Sequence, residues 1–161
     1  YVICGHSERR QILGESDEFE ARKVKAVLEN DMITILCVGE TEEERKEGQT
    51  EERIGSEIRT ALFALSKEET AKMVIAYEPI WAIGSGQAAT PKDAEEIASF
   101  IRKTVKEAAG KKAADEVRIL YGGSVNGDNI SYFLKQKNID GALIGGASLK
   151  PDTMIDIYNK A

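Results

Sequence analysis

Five short apolar runs punctuate the chain: YVIC (1–4), ITILCV (33–38), MVIAY (73–77), VRILY (117–121) and GALIG (141–145). None alternates cleanly between apolar and polar residues, so each reads as a strand buried on both faces, as in a parallel sheet. Helical stretches at roughly 16–29, 43–65, 92–109, 127–137 and 151–160 separate and follow them. The strands start roughly 24 to 44 residues apart, room enough for right-handed crossovers. Such βα repeats allow either an open doubly wound sheet or a closed barrel. An eight-unit barrel takes about 250 residues, so five units would need about 156. The 161 residues present match that share without choosing between the architectures.

Local chemistry supports the helices. Ile97, Phe100, Ile101, Thr104 and Val105 recur at three- and four-residue spacing and make one apolar stripe. Thr90-Pro91 opens that helix with a cap residue and a first-turn proline, and Pro151-Asp152 marks the last helix in a similar way. The run ETEEERKEGQTEER mixes charges of both signs and leads into Ile54, Ile58, Leu62 and Leu65, so it reads as a solvated helix face. No linker or low-complexity tract divides residues 1–161, and a single domain is expected.

A net charge of −6 argues against sequence-independent nucleic-acid binding, which needs a basic surface. The apolar runs are far too short to span a bilayer, and no secretory signal opens the chain. Cys4 and Cys37 lie in strand-like runs and read as two buried thiols of a cytoplasmic protein, a disulfide being the alternative. The first residue is Tyr1 and not Met. The expectation is therefore that an upstream part was removed or that this is a piece of a longer chain.

The residues that follow the strands carry the chemistry. Glu78 stands at a strand end, where βα folds place their sites, and Pro79 restricts the backbone after it. Ile80, Trp81 and Ile83 then make an apolar loop containing Gly84 and Gly86. Such a loop suits a lid that excludes water and raises the basicity of a carboxylate. A surface carboxylate followed by a packed connection is the plainer alternative. YGGSVN (121–126) and IGGAS (144–148) are glycine-rich exits before helices, where backbone N–H groups can approach a phosphate. His6, the only histidine, ends the first strand beside a helix start, whose dipole favours the neutral ring. A desolvated carboxylate, a neutral imidazole and a phosphate grip describe proton transfer alpha to a carbonyl on a small phosphorylated substrate.

GHSERR (5–10), CVGE (37–40), AYEPIWAIGSG (76–86), YGGSV (121–125) and GALIGGASL (141–149) resemble, in this order, the motifs of the triosephosphate isomerase family. The resemblance implies a TIM (β/α)8 barrel, here a partial barrel of about five βα units with parallel strands. These would be the fourth to eighth units, with the first three absent. It implies interconversion of glyceraldehyde 3-phosphate and dihydroxyacetone phosphate through an enediolate, with no cofactor and no metal. Glu78 would be the base and His6 the electrophile, a pairing characteristic of that family. Glu8 matches an active-site carboxylate. Gly84, Ser124, Gly145 and Gly146 match phosphate-holding positions. Ile83 and Leu143 match an apolar clamp on Glu78, Trp81 and Glu40 a lid-open contact, and Tyr121 with Ser124 a lid latch.

The family's substrate-binding lysine and asparagine, after its first strand, have no counterpart in this chain, nor has the third loop through which family members form homodimers. Ser85 and Gln87 stand where threonine and lysine are commoner. The chain by itself is thus expected to be nearly inactive. A half-barrel that associates with another copy or a complementary piece is the second reading. An aldolase-like barrel comes last, since the five strand exits offer no Schiff-base lysine.

Overall fold

The computed structural model describes residues 1–83 and 89–161. In chain order it contains β1 (Val2–Cys4), α1 (Ser7–Leu13), α2 (Asp17–Glu29), β2 (Thr34–Val38), α3 (Glu42–Lys46), α4 (Thr50–Leu62) and α5 (Lys67–Lys72). Then come β3 (Val74–Tyr77), a 3-10 turn (Ile80–Ala82), α6 (Pro91–Ala109), α7 (Lys111–Glu116), β4 (Arg118–Tyr121), α8 (Ile130–Leu134), β5 (Gly141–Ala142), a 3-10 turn (Gly146–Leu149) and α9 (Pro151–Lys160).

All the strands are parallel, and each pairs with its neighbour in sequence, in the order β1-β2-β3-β4-β5. A doubly wound sheet reverses its strand order at a switch point; this one never reverses. Winding in one direction is the geometry of a βα barrel, here a partial one, and it gathers the strand exits on one rim.

The central strands are buried as expected, β3 at every position. The outer ones are not. Ile3 is 46% exposed and β5 is half-buried. β1 and β5 are the sheet's edges, so the reading of strands buried on both faces fails there for want of neighbours. β5 also stops at Ala142 rather than reaching Gly145, although Leu143 N–H still donates to the Tyr121 carbonyl at 2.9 Å.

The helix expected over 43–65 divides into α3 and α4. Gly48 lies between them with φ +71°, a left-handed conformation that ends a helix. The stretch 127–137 shortens to Ile130–Leu134. Asn126 Oδ1 accepts the N–H groups of Asp128 and Asn129 there, a side-chain turn that competes with helix. Thr90 caps α6 as its sequence suggests, with Asp93 completing a capping box. Before α9, Lys150 makes no side-chain cap, and only the proline expectation holds.

The core lies between the strands and the inner faces of the helices. Ile97, Ile101 and Val105 of α6 are buried with Ile54 and Ile58 of α4 and with Leu36, Ile75 and Ile119 of the sheet. Each such side chain contributes about 1.5–3 kcal/mol through burial. Tyr121 stacks on Phe133 at 4.0 Å between ring centroids, joining β4 to α8. Both cysteines are buried and free.

Candidate active site

Gly5 carries the chain out of β1 with φ +73° and delivers His6 to the N-cap of α1. His6 Nδ1 accepts the Glu8 N–H at 3.4 Å. A neutral ring that accepts at Nδ1 carries its proton on Nε2, and Nε2 lies 3.0 Å from Glu78 Oε1. The other Glu78 oxygen, Oε2, accepts the Ser7 N–H at 3.1 Å. One helix start thus holds both groups.

Glu78 is 3% exposed. Burial raises its carboxyl above the usual range, while His6, the Ser7 N–H, Cys37 and Arg10 act in the opposite direction. Its backbone is fixed too: Glu78 N–H donates to the Val38 carbonyl at 2.8 Å. Cys37 lies close by, its thiol pushed up by burial and by the Glu78 charge.

His6, Glu8, Glu78 and Ile83 line a cavity of about 370 Å3 together with the Gly122–Ser124 and Ile144–Gly146 exits. The two glycine pairs are there for different reasons. A Cβ on Gly122 would meet Glu78 Cγ at 3.1 Å, and one on Gly123 would meet the Tyr121 hydroxyl at 2.2 Å. The first pair is therefore required by packing. A Cβ on Gly145 or Gly146 would meet nothing within 4 Å, so that pair is free to face a ligand. Among the described residues that line the cavity there is no lysine or arginine.

Two of the positions expected to gate a lid, Glu40 and Trp81, meet. Glu40 is fully buried and its Oε1 accepts from Trp81 Nε1 at 2.9 Å, Arg45 Nη1 at 3.1 Å and the Tyr77 hydroxyl at 3.2 Å. Burial raises the Glu40 carboxyl and these donors offset part of that rise. Arg45 also lies 4.4 Å over the Trp81 ring. Pro79 precedes the turn that carries Trp81, and its Cγ would be 3.0 Å from a Cβ on Gly123.

Some expected positions stand apart. Leu143 is half-buried and bound to β4, and its neighbour Ile144 lines the cavity in its place. Side-chain exposure of Glu8 reaches 77%, with Oε2 4.0 Å from His6 Nδ1. Tyr121 is buried while Ser124 is exposed. Gly84, with Ser85, Gly86 and Gln87, lies outside the described residues. Sequence reasoning missed the Ser7 N–H, which no side-chain pattern announces, and Cys37 as a neighbour of Glu78.

Other features do not compete. A cavity of about 380 Å3 lined by Lys67, Lys72, Lys111 and Lys112 lies between α5 and α7, at the amino ends of β3 and β4. Glu68 and Glu116 are its other charged lining residues, and it faces the opposite ends of the strands from the His6–Glu78 cavity. Among the described residues no group of three or more His, Cys, Asp or Glu side chains is placed to hold a metal. No described helix is long and apolar enough to cross a membrane.

A singly wound parallel βα sheet with a carboxylate, an imidazole and glycine exits on one rim defines a βα-barrel protein with its site at the carboxyl ends of the strands. The family model for triosephosphate isomerase matches residues 1–161, and the chain belongs to that family. It is 52% identical over 159 residues to triosephosphate isomerase of Roseiflexus sp. (strain RS-1), covering 99% of this chain and 63% of that protein. The enzyme of Dictyoglomus turgidum is 51% identical over 157 residues, 98% of this chain and 63% of the relative. That of Clostridium tetani is 50% identical over 159 residues, 99% and 62%. The chain spans about five eighths of the length of these relatives.

Proposed function

We propose that the His6–Glu78 site interconverts glyceraldehyde 3-phosphate and dihydroxyacetone phosphate in the protein to which these five βα units belong. The observation that carries this reading is the buried, basic-shifted Glu78 carboxylate 3.0 Å from His6 Nε2, beside a glycine-lined cavity. Substrate would enter between the two side chains. Nε2–H then turns to the carbonyl oxygen and polarises it, and Glu78 removes the proton from the adjacent carbon. Glu78 returns that proton to the neighbouring carbon while His6 moves protons between the oxygens, which completes the exchange of aldose for ketose. The Gly145–Gly146 exit and Ser124 would hold the phosphate, helped by Gly84. Ile83 and Leu143 would clamp Glu78, Trp81–Glu40 would hold the lid open, and Tyr121 with Ser124 would latch it shut.

Within an eight-unit barrel we assign these units to the fourth through eighth positions, on the order of their strand-exit motifs. A cytoplasmic homodimer is the expected assembly of the intact protein. Without a cation at the phosphate, the 161 residues alone should lose on the order of several kcal/mol of transition-state stabilisation. The test is a coupled isomerase assay on this chain, alone and joined to the first three βα units of a relative. Turnover by the joined protein that vanishes in Glu78→Gln supports the reading. A folded joined protein without turnover, or normal turnover by the 161 residues alone, overturns the corresponding part.

A non-catalytic, self-associating half-barrel is favoured by the open edges β1 and β5 and by exposed Ile12, Leu149 and Tyr158. A clean, stable monomer in light scattering counts against it.

A further inference from the structure

His6 and Glu78 stand on different strand exits, and a buried ionic cluster holds the backbone of both. The Glu57 side chain, on α4, is fully buried. Its Oε2 accepts the Gly39 N–H at 2.9 Å. Its Oε1 accepts from Arg53 Nη2 at 2.8 Å and faces Arg10 Nε at 3.5 Å. That same Arg10 Nε donates to the Gly5 carbonyl at 2.8 Å, immediately before His6. Gly39 packs so closely on Glu78 that a Cβ there would stand 1.8 Å from the Glu78 carbonyl oxygen. Asp17 closes the cluster, pairing with Arg10 Nη1 and, at 3.0 Å, with Arg53 Nη1.

We infer that Glu57 is a positioning residue for the His6–Glu78 pair, acting through Gly39 on one side and through Arg10 and Gly5 on the other. It touches neither side chain. The kinetic part of this inference rests on the isomerase reading above; the structural part does not. A buried ion pair is a weak source of stability, because desolvation offsets most of its attraction. What the carboxylate supplies instead is orientation: a fixed acceptor for one strand exit and a fixed counter-charge for the arginine that grips the other. Burial pushes the Glu57 carboxyl up to about 7, with Arg10 and Arg53 opposing that rise.

The test compares Glu57→Gln, which keeps an acceptor for the Gly39 N–H, with Glu57→Leu, which keeps only volume. Residue-resolved amide exchange on the 161-residue chain is the first readout. Glu57→Leu should speed exchange at Gly39 and at Ser7 by about tenfold or more while the α6 amides stay protected, and Glu57→Gln should restore most of the protection. Unchanged Gly39 and Ser7 amides in Glu57→Leu overturn the inference, as does uniform loss of protection in both variants. In the full-length protein, Glu57→Leu should lower kcat about tenfold or more with KM within about twofold. Unchanged kcat overturns the kinetic part. Absence of turnover before any substitution, with the exchange result intact, instead overturns the isomerase reading and supports the structural role.

Discussion

His6 Nε2 and Glu78 Oε1 lie 3.0 Å apart, although their positions are separated by seventy-one others in the chain. The Ser7 N–H holds the second Glu78 oxygen at 3.1 Å, so a single helix start orients an imidazole and a carboxylate against each other. The carboxylate is buried and the imidazole is partly open to the cavity. A base on one side and a proton donor on the other are what proton transfer next to a carbonyl requires.

Replacing Glu78 by Gln preserves shape and removes the carboxylate proposed as the base. In the full-length protein it should lower kcat by about 10²–10⁴-fold while a substrate analogue still binds within about tenfold. A coupled assay and an inhibitor titration measure the two quantities. A rate left unchanged removes Glu78 from the chemistry.

Glycines at two strand exits should respond in opposite ways to alanine. Gly39→Ala drives a methyl to within 1.8 Å of the Glu78 carbonyl oxygen, a backbone clash that should cost about 3 kcal/mol or more. Gly146→Ala meets open space at the start of the 3-10 turn and should leave stability within about 0.5 kcal/mol. Urea denaturation of both variants gives the comparison. Weaker phosphate-analogue binding by Gly146→Ala, without loss of stability, would support its place at the phosphate.

Trp81→Phe removes the N–H that donates to Glu40 Oε1 at 2.9 Å. The Arg45 and Tyr77 donors remain, so the expected cost is about 1–3 kcal/mol rather than loss of the fold. Circular dichroism is the measurement to use, because Trp81 is the only tryptophan.

Glu69 supplies the pH dependence. The Ser66 N–H and hydroxyl, with Lys25, hold its carboxyl down to about 2, against an ordinary value of 4.5. A carboxyl lowered in the folded state stabilises it above about 4.5, and that contribution is lost as pH falls toward about 2. Glu69→Gln should therefore flatten the acid side of a stability-against-pH curve and leave the slope at neutral pH unchanged. Denaturation midpoints measured from pH 2 to 7 decide it.

Much of the architecture was legible because its signals are local. The apolar runs, the Thr90-Pro91 cap and the Ile97–Ile101–Val105 stripe depend on neighbours within a few residues, and β2, β3 and α6 follow them closely. The positions of His6, Glu78, Ser124, Gly145 and Gly146 at strand exits were legible too, since parallel strands send all their carboxyl ends to one side of the sheet.

The rest needed the third dimension. Nothing in the spacing of Arg10, Asp17, Arg53 and Glu57 marks them as one buried cluster, because each looks like an ordinary helix charge until the helices pack. The two glycine pairs look alike as sequence, yet Gly122 and Gly123 are confined by Glu78 and Tyr121 while Gly145 and Gly146 face open space. The βα spacing alone left a doubly wound sheet and a barrel both open; the family motifs implied the barrel, and strand pairing without reversal agrees with it. The sequence by itself determined where the main strands and helices lie and which residue types stand at the strand exits, though not the short α5 and α7 or the exact ends of the helices. Tertiary structure decided which of those ends meet, because contact between distant residues is set by packing and burial rather than by local preference.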